Sequence, residues 1–227
     1  MDAAVIQQAK ACLAQKKEFS STCSVPQVLD QIGSKWAILI IYTAFTRYSC
    51  EPSHLAFFRR PRSGAVPLAN IEEHLLNQDL IYVGGGNTRA MLAVWREWNV
   101  DEILRKAWQS GILLSGMSAG SICWFDYGGS DSTFVDKLSP LQGLGLVRGS
   151  CTPHFDGESN RRPDFHQLVQ NGEIPPGIGI DDGAAVLFEG QQVVEVVSSR
   201  PAAKAYQVKL EKDGQIAEKP LETRYLG

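Results

Sequence analysis

The chain has 227 residues, 44% of them hydrophobic and 21% charged, with 22 Lys and Arg against 25 Asp and Glu for a formal net charge of −3. That length allows one large α/β domain with a well-buried core, and the mixed charge excludes the basic surface that nucleic-acid binding needs. The longest strongly apolar run, Trp36 to Tyr42, is far too short to span a membrane. The cysteines (Cys12, Cys23, Cys50, Cys123 and Cys151) are scattered without metal-ligand spacing, as expected of reduced thiols in a cytoplasmic protein.

Residues 1–35 read as a polar amphipathic helix (Ile6, Ala9, Leu13) and a loop through Ser20-Ser21-Thr22 and Pro26, without the basic start and apolar core of a signal peptide. Trp36–Tyr42 supplies one strand. A helix over 66–76 leads to a strand over 80–83, Leu80-Ile81-Tyr82-Val83, whose β-branched and aromatic residues suit a buried position. It runs into Gly84-Gly85-Gly86-Asn87-Thr88 and then an amphipathic helix over 88–98, with Asn87 or Thr88 as its N-cap. The glycines expose backbone N–H groups, either as an anion cradle or as half of an oxyanion hole. The spacing is not G-x-G-x-x-G and no P-loop Lys follows, so nucleotide binding is the weaker reading. A helix over 101–109, capped by Asp101 and ended by Gly111, precedes a strand over 112–116.

That strand ends in Gly116-Met117-Ser118-Ala119-Gly120, followed by the apolar run Ile122-Cys123-Trp124-Phe125. Strand, sharp corner and helix are the setting of a nucleophile elbow. The glycines allow the turn, and the Ser118 hydroxyl emerges at a helix N-terminus, where free N–H groups favour a developing oxyanion. The hydroxyl needs a base. Of His54, His74, His154 and His166, His154 is the best placed, in Cys151-Thr152-Pro153-His154-Phe155-Asp156 beside a stiffening proline. His54 and His74 read as exposed, and His166 as a packing or surface residue at the start of a helix over 163–170.

A carboxylate should orient the base, and Asp126, Asp131 and Asp136 lie between Ser118 and His154. Asp126 falls at the end of the elbow helix, about 12 Å from the nucleophile. Asp131, in the flexible turn Gly128-Gly129-Ser130-Asp131-Ser132, is preferred, with Asp126 second and Asp156 weaker. Strands over 143–149 and 177–181 follow, and then hairpin strands over 184–188, 192–197 and 205–210, with turns at Glu189-Gly190 and Lys212-Asp213-Gly214. Without repeats or linkers, the chain reads as a single α/β domain over 1–227.

Three motifs in this order carry a resemblance: Gly84-Gly85-Gly86-Asn87-Thr88, Gly116-Met117-Ser118-Ala119-Gly120-Ser121 and Pro153-His154-Phe155. With Cys123-Trp124-Phe125, Asp181-Asp182-Gly183-Ala184-Ala185 and Ser198-Ser199-Arg200-Pro201, the chain resembles the peptidase E family of serine peptidases over roughly residues 42–208. That family includes α-aspartyl dipeptidases and has cyanophycinases as distant relatives. The resemblance implies a doubly wound, mostly parallel sheet with flanking helices, like class I glutamine amidotransferases, whose elbow carries Cys. Here it carries Ser118, and Cys123 reads as core. The 36 positions from Ser118 to His154 also fit a compact doubly wound sheet better than an α/β-hydrolase, which places its His near the chain end.

Carried over by position, the resemblance implies Ser118 as nucleophile, His154 as base and Asp131 as the acidic member. The N–H groups of Ala119 and of Gly85 or Gly86 would form the oxyanion hole. It implies a small peptide substrate with an N-terminal Asp, and no cofactor or metal. Arg161 and Arg162 would hold the aspartyl carboxylate, Glu158 the free amine, and Asn87 joins the substrate-binding residues. Alternatives are a cyanophycinase-like hydrolase of aspartyl peptides and a catalytically degenerate binding relative. The N-terminus departs from the family, since neither its Gly-rich first strand nor its Pro-Thr-Ala-Ser-like loop is visible within 1–35.

Overall fold

In the computed structural model, the described residues are Leu55, 71–134 and 137–227. The chain divides into units 1–71 and 72–227, and the second carries all of the expected site residues. The expected helix and loop within 1–35, the strand over 36–42, the first residues of the helix over 66–76, His54, Asp136, Cys12, Cys23 and Cys50 lie outside the described residues.

Helix α1 (Ile71–Leu76) precedes strand β1 (Leu80–Val83). Helices α2 (Thr88–Glu97) and α3 (Val100–Gln109) bury Leu92 and Trp95, and Val100, Ile103, Leu104 and Ala107, at the three-and-four spacing of amphipathic helices. Asp101 does not cap α3. The helix begins one residue earlier, because the apolar stripe starts at Val100, so Asn99 holds the cap position and Asp101 lies in the first turn, where its charge suits the helix dipole. Strand β2 (Leu113–Gly116) pairs in parallel with β1, from Leu80 opposite Leu113 to Val83 opposite Gly116. The elbow helix α4 (Ala119–Ile122) is a single turn.

The Gly- and Ser-rich stretch expected as a flexible turn is instead part of strand β3 (Phe125–Phe134), which pairs antiparallel with a strand absent from the sequence reading, β4 (Lys137–Gln142). The glycines serve close packing. A Cβ on Gly128 would run into Ile122 Cγ2 of α4 and come within 2.8 Å of the Cys151 carbonyl oxygen. Strand β5 (Val147–Thr152) starts later than expected, because the N–H groups of Gly143, Leu144 and Gly145 bond the carbonyls of Asp126, Cys123 and Phe125 rather than a ladder partner.

Helix α5 (Arg161–Gln170) leads to strand β6 (Gly177–Ile180), then β7 (Ala184–Glu189), β8 (Gln192–Ser198), β9 (Ala205–Leu210), β10 (Ile216–Pro220) and β11 (Arg224–Tyr225). The result is a mixed α/β structure. Its strands form a pair β1-β2, a six-stranded sheet ordered β10-β9-β6-β5-β3-β4, and a three-stranded sheet β11-β8-β7. Pairs β1–β2, β3–β5 and β5–β6 are parallel, whereas β7–β8 and β9–β10 are antiparallel. α4 packs against β1, β2, β3 and β5. One core cluster joins Leu138, Phe155, Phe165, Leu168, Val169, Ile174 and Val208. Each large side chain so buried stabilises the fold by about 1.5–3 kcal/mol. Among the described residues no helix is long and apolar enough to cross a membrane.

Candidate active site

Strand register assembles the first half of the site. Val83 and Gly116 are partners in parallel strands, so the segments beyond them leave the same carboxyl edge side by side. The Met117 N–H donates to the Val83 carbonyl at 3.1 Å and keeps the two segments together through the corner. Both glycines of the elbow are sterically required. A Cβ on Gly116 would come within 2.6 Å of the Val83 carbonyl oxygen, and one on Gly120 would run into the same carbonyl. Gly85 abuts Ser118, since a Cβ there would lie 3.2 Å from Ser118 Cβ and 3.7 Å from its Oγ. Gly86, at φ 147, turns the same loop.

Ser118 sits at φ 54, ψ −117. Such a backbone costs about 1–3 kcal/mol and persists only where its surroundings fix it. Its carbonyl accepts the N–H groups of Ser121 (2.9 Å) and Ile122 (3.1 Å) and the Ser121 hydroxyl (2.8 Å), so α4 holds the corner. Ala119, the first residue of α4, is buried with its N–H at the helix start. Among the described residues, the non-glycine residues with positive φ are Asn99, Ser118 and His154. Two of these three are the expected nucleophile and base.

The second half is built in the same way. Thr152 of β5 is the parallel partner of Gly179 of β6, so the segments carrying His154 and Asp182 leave adjacent strand ends. His154 Nδ1 lies 2.6 Å from Asp182 Oδ1. The His154 carbonyl accepts the N–H groups of Gly157 and Glu158, which holds the residue at φ 57. With α4 packed on β5, the elbow and the strand that leads to His154 share one framework. A carboxylate on Nδ1 leaves Nε2 as the ring nitrogen that accepts a proton from a hydroxyl.

The acid expected beside His154 is therefore displaced. Asp131 Oδ2 accepts from Arg161 Nη2 at 2.9 Å, and Asp126 Oδ2 accepts the Gly149 N–H at 2.9 Å. Neither carboxylate bonds the imidazole. Asp126 lies in β3 rather than on a long elbow helix, and Asp131 is held near the end of that strand. Asp156 does not orient the ring either: its Oδ1 accepts the Asp182 N–H at 2.9 Å and its Oδ2 pairs with Arg200. Burial works against the Asp156 charge, but the Arg200 guanidinium and the Asp182 N–H outweigh it and hold the carboxyl below its usual range.

The residues expected to bind substrate are differently engaged. Arg161 is only 4% exposed and grips Glu158 through Nε (2.6 Å) and Nη2 (3.2 Å) besides Asp131. Those hydrogen bonds hold the Glu158 carboxyl below its usual range. The Arg162 guanidinium is sandwiched between Phe155 and Tyr206, 4.5 and 4.4 Å from the ring centroids, and lies 3.3 Å from Glu218. His166 pairs with the same Glu218 at 2.8 Å. Asn87 caps α2: its Oδ1 accepts the Ala90 N–H at 2.9 Å and its Nδ2 donates to the Ser132 carbonyl at 3.1 Å. Arg161 and Asn87 thus use polar groups within the fold, Arg162 is held by ring stacking and the Glu218 ion pair with its Nε and Nη2 lacking hydrogen-bond partners, and Glu158 and Asp131 remain partly exposed. Cys123 and Cys151 are fully buried, and burial pushes the Cys151 thiol up to about 12 and the Cys123 thiol well above its usual value. Burial of this kind favours the neutral thiol.

In the sequence Asp182 stands within Asp181-Asp182-Gly183, which reads only as a turn. The signal that could have found it is position: an acid directly after a strand that runs parallel to the one preceding His154. Which of the two aspartates points at the ring is a tertiary matter. Asp181 is buried, with Oδ2 accepting the Lys204 N–H at 3.0 Å, and burial raises its carboxyl above the usual value.

The family model described as Peptidase family S51 matches residues 16–196. A protein of Bacillus subtilis (strain 168) named "Uncharacterized peptidase YgaJ" is 44% identical over 212 residues, 93% of this chain and 87% of that protein. Peptidase E of Streptomyces coelicolor (strain ATCC BAA-471 / A3(2) / M145) is 27% identical over 147 residues, 60% of this chain and 58% of that protein.

Proposed function

The chain belongs to peptidase family S51, and on that premise we propose that it hydrolyses short peptides through an acyl-enzyme formed on Ser118. The observation that carries this reading is the 2.6 Å contact of His154 Nδ1 with Asp182 Oδ1, in a site whose nucleophile and base both occupy strained backbone. His154 takes the Ser118 proton as the oxygen attacks the peptide carbonyl, and Asp182 holds the ring and stabilises its cation. The N–H groups of Ala119 and of Gly85 or Gly86 face the developing oxyanion. His154 then protonates the leaving amine, and water resolves the ester. The doubly wound, class I glutamine amidotransferase-like architecture implied by the resemblance is part of the same proposal.

The exopeptidase character and the preference for an N-terminal Asp rest on the resemblance. With Arg161 and Arg162 committed elsewhere, the partly exposed carboxylates Glu158 and Asp131 are the groups suited to a substrate's free amine. The test is hydrolysis of an Asp-X dipeptide, beside other dipeptides and a β-Asp-Arg polymer, by the wild type and by Ser118→Ala, His154→Ala and Asp182→Asn. Activity on a dipeptide that falls by several orders of magnitude in the first two variants, and strongly in the third, supports the triad and the substrate class together. A folded wild type that cleaves none of these, and whose Ser118 does not react with a fluorophosphonate, would instead be a binding relative.

A further inference from the structure

The turn Asp181-Asp182-Gly183 between β6 and β7 is held by its backbone from two sides. The Asp182 N–H donates to Asp156 Oδ1 at 2.9 Å, and the Asp182 carbonyl accepts from Arg200 Nε at 2.7 Å. Arg200 Nη2 closes the ring by pairing with Asp156 Oδ2. The neighbouring Gly183 carbonyl accepts the Ser199 N–H at 2.8 Å and its hydroxyl at 3.0 Å, so the strap after β8 lies flat on the turn. Asp156 follows His154 by two residues, which ties the segment bearing the base to the backbone of the residue that meets the imidazole.

We propose that the Asp156–Arg200 ion pair is the positioning device for Asp182, with Arg200 acting on the chemistry only through that aspartate. Asp182 is exposed, and water competes for an exposed carboxylate. A single side-chain hydrogen bond to His154 does not fix where such a carboxylate points. Fixing the N–H and the carbonyl of one residue at once removes the backbone freedom by which the carboxylate could swing away from the ring. The orientation is then prepaid by folding. The cation also satisfies Asp156, so the clamp carries no unpaired charge.

The proposal rests on Asp182 being the acid of the triad, and the experiment separates the two ideas. The rate of Ser118 labelling by a fluorophosphonate reads nucleophile activation without needing a known substrate. It is measured for the wild type, Asp182→Asn, Arg200→Met, Arg200→Lys and the double variant Asp182→Asn with Arg200→Met, with circular dichroism and thermal unfolding as controls. We expect Asp182→Asn to slow labelling by at least about a hundredfold, Arg200→Met by about tenfold, and Arg200→Lys by less than Arg200→Met. The double variant should be within about twofold of Asp182→Asn alone, because an intermediary already removed cannot be mispositioned. On a dipeptide that the wild type cleaves, Arg200→Met should lower kcat and leave KM within about twofold.

A folded Arg200→Met that labels at the wild-type rate overturns the proposal. So does a double variant slowed by the product of the two single effects. Should Arg200→Met not fold, Asp156→Asn, which keeps an acceptor for the Asp182 N–H and loses the ion pair, takes its place under the same criteria. Wild-type labelling by Asp182→Asn, with Ser118→Ala unreactive, would remove the triad assignment itself and is read separately.

Discussion

At Gly157 the hydrogen atom in place of a methyl group decides where a carboxylate can sit. A Cβ there would run into Asp182 Oδ2, on the same carboxylate that meets His154. Its φ is not in the left-handed region, so alanine is compatible with the backbone and the clash falls on the aspartate. Gly157→Ala should therefore reduce fluorophosphonate labelling by about tenfold or more while leaving the fold intact. Labelling at the wild-type rate would mean that the carboxylate yields without consequence. At the same scale, the Asp131 carboxylate is held by a cation rather than by the imidazole. Proximity in sequence to the nucleophile says nothing of which cation a carboxylate meets, and Asp131 meets Arg161.

Among the elements, the start of α2 shows how a residue of apparent site chemistry serves the scaffold. Asn87 follows three glycines beside Ser118, yet its amide oxygen accepts the Ala90 N–H and its nitrogen donates to the Ser132 carbonyl. It caps the helix and ties the glycine loop to β3. Replacing a cap of this type by alanine costs about 0.5–2 kcal/mol. Asn87→Ala should lower Tm by several degrees and leave KM for a cleaved dipeptide within about twofold. A raised KM with unchanged Tm would return Asn87 to the substrate. β3 makes the complementary point: Gly128 and Gly129 read as a turn because glycine is usually read as freedom, whereas Gly128 admits Ile122 of α4 and Cys151 of β5, and Gly129 faces Leu138, Phe165 and Thr152.

Among the described residues, the lowered carboxyls are Asp156, with an ordinary value of 3.8, and Glu158 and the fully exposed Glu195, each with 4.5. A carboxyl lowered in the folded state stabilises the fold above its unfolded value, and that contribution is lost as pH falls through the folded value. Asp181 has the opposite sign: burial raises it, so its protonation relieves the fold as pH falls. The Asp156 and Glu158 ion pairs outnumber it. Tm should accordingly drop as pH is lowered from about 5 to about 3, and drop less in Asp156→Asn. A Tm that rises toward acid would place the buried Asp181 in control.

Read alone, the sequence carried the family, the glycine corner at Ser118, His154 as the candidate base, the glycine loop and most of the elements from β1 to β9. These are local signals: an apolar run before a glycine corner, a helical stripe, a proline beside a histidine. Only the tertiary structure decided the partners. Asp182 rather than Asp131 meets His154 because β5 and β6 are adjacent parallel strands, and Arg161 and Arg162 are taken by Glu158, Asp131, Phe155, Tyr206 and Glu218 before any substrate arrives. A charged group's role is set by the charge it faces across the fold. Pairing between residues 28 positions apart, as His154 and Asp182 are, depends on which strands end side by side in the sheet, and that is decided by the tertiary fold.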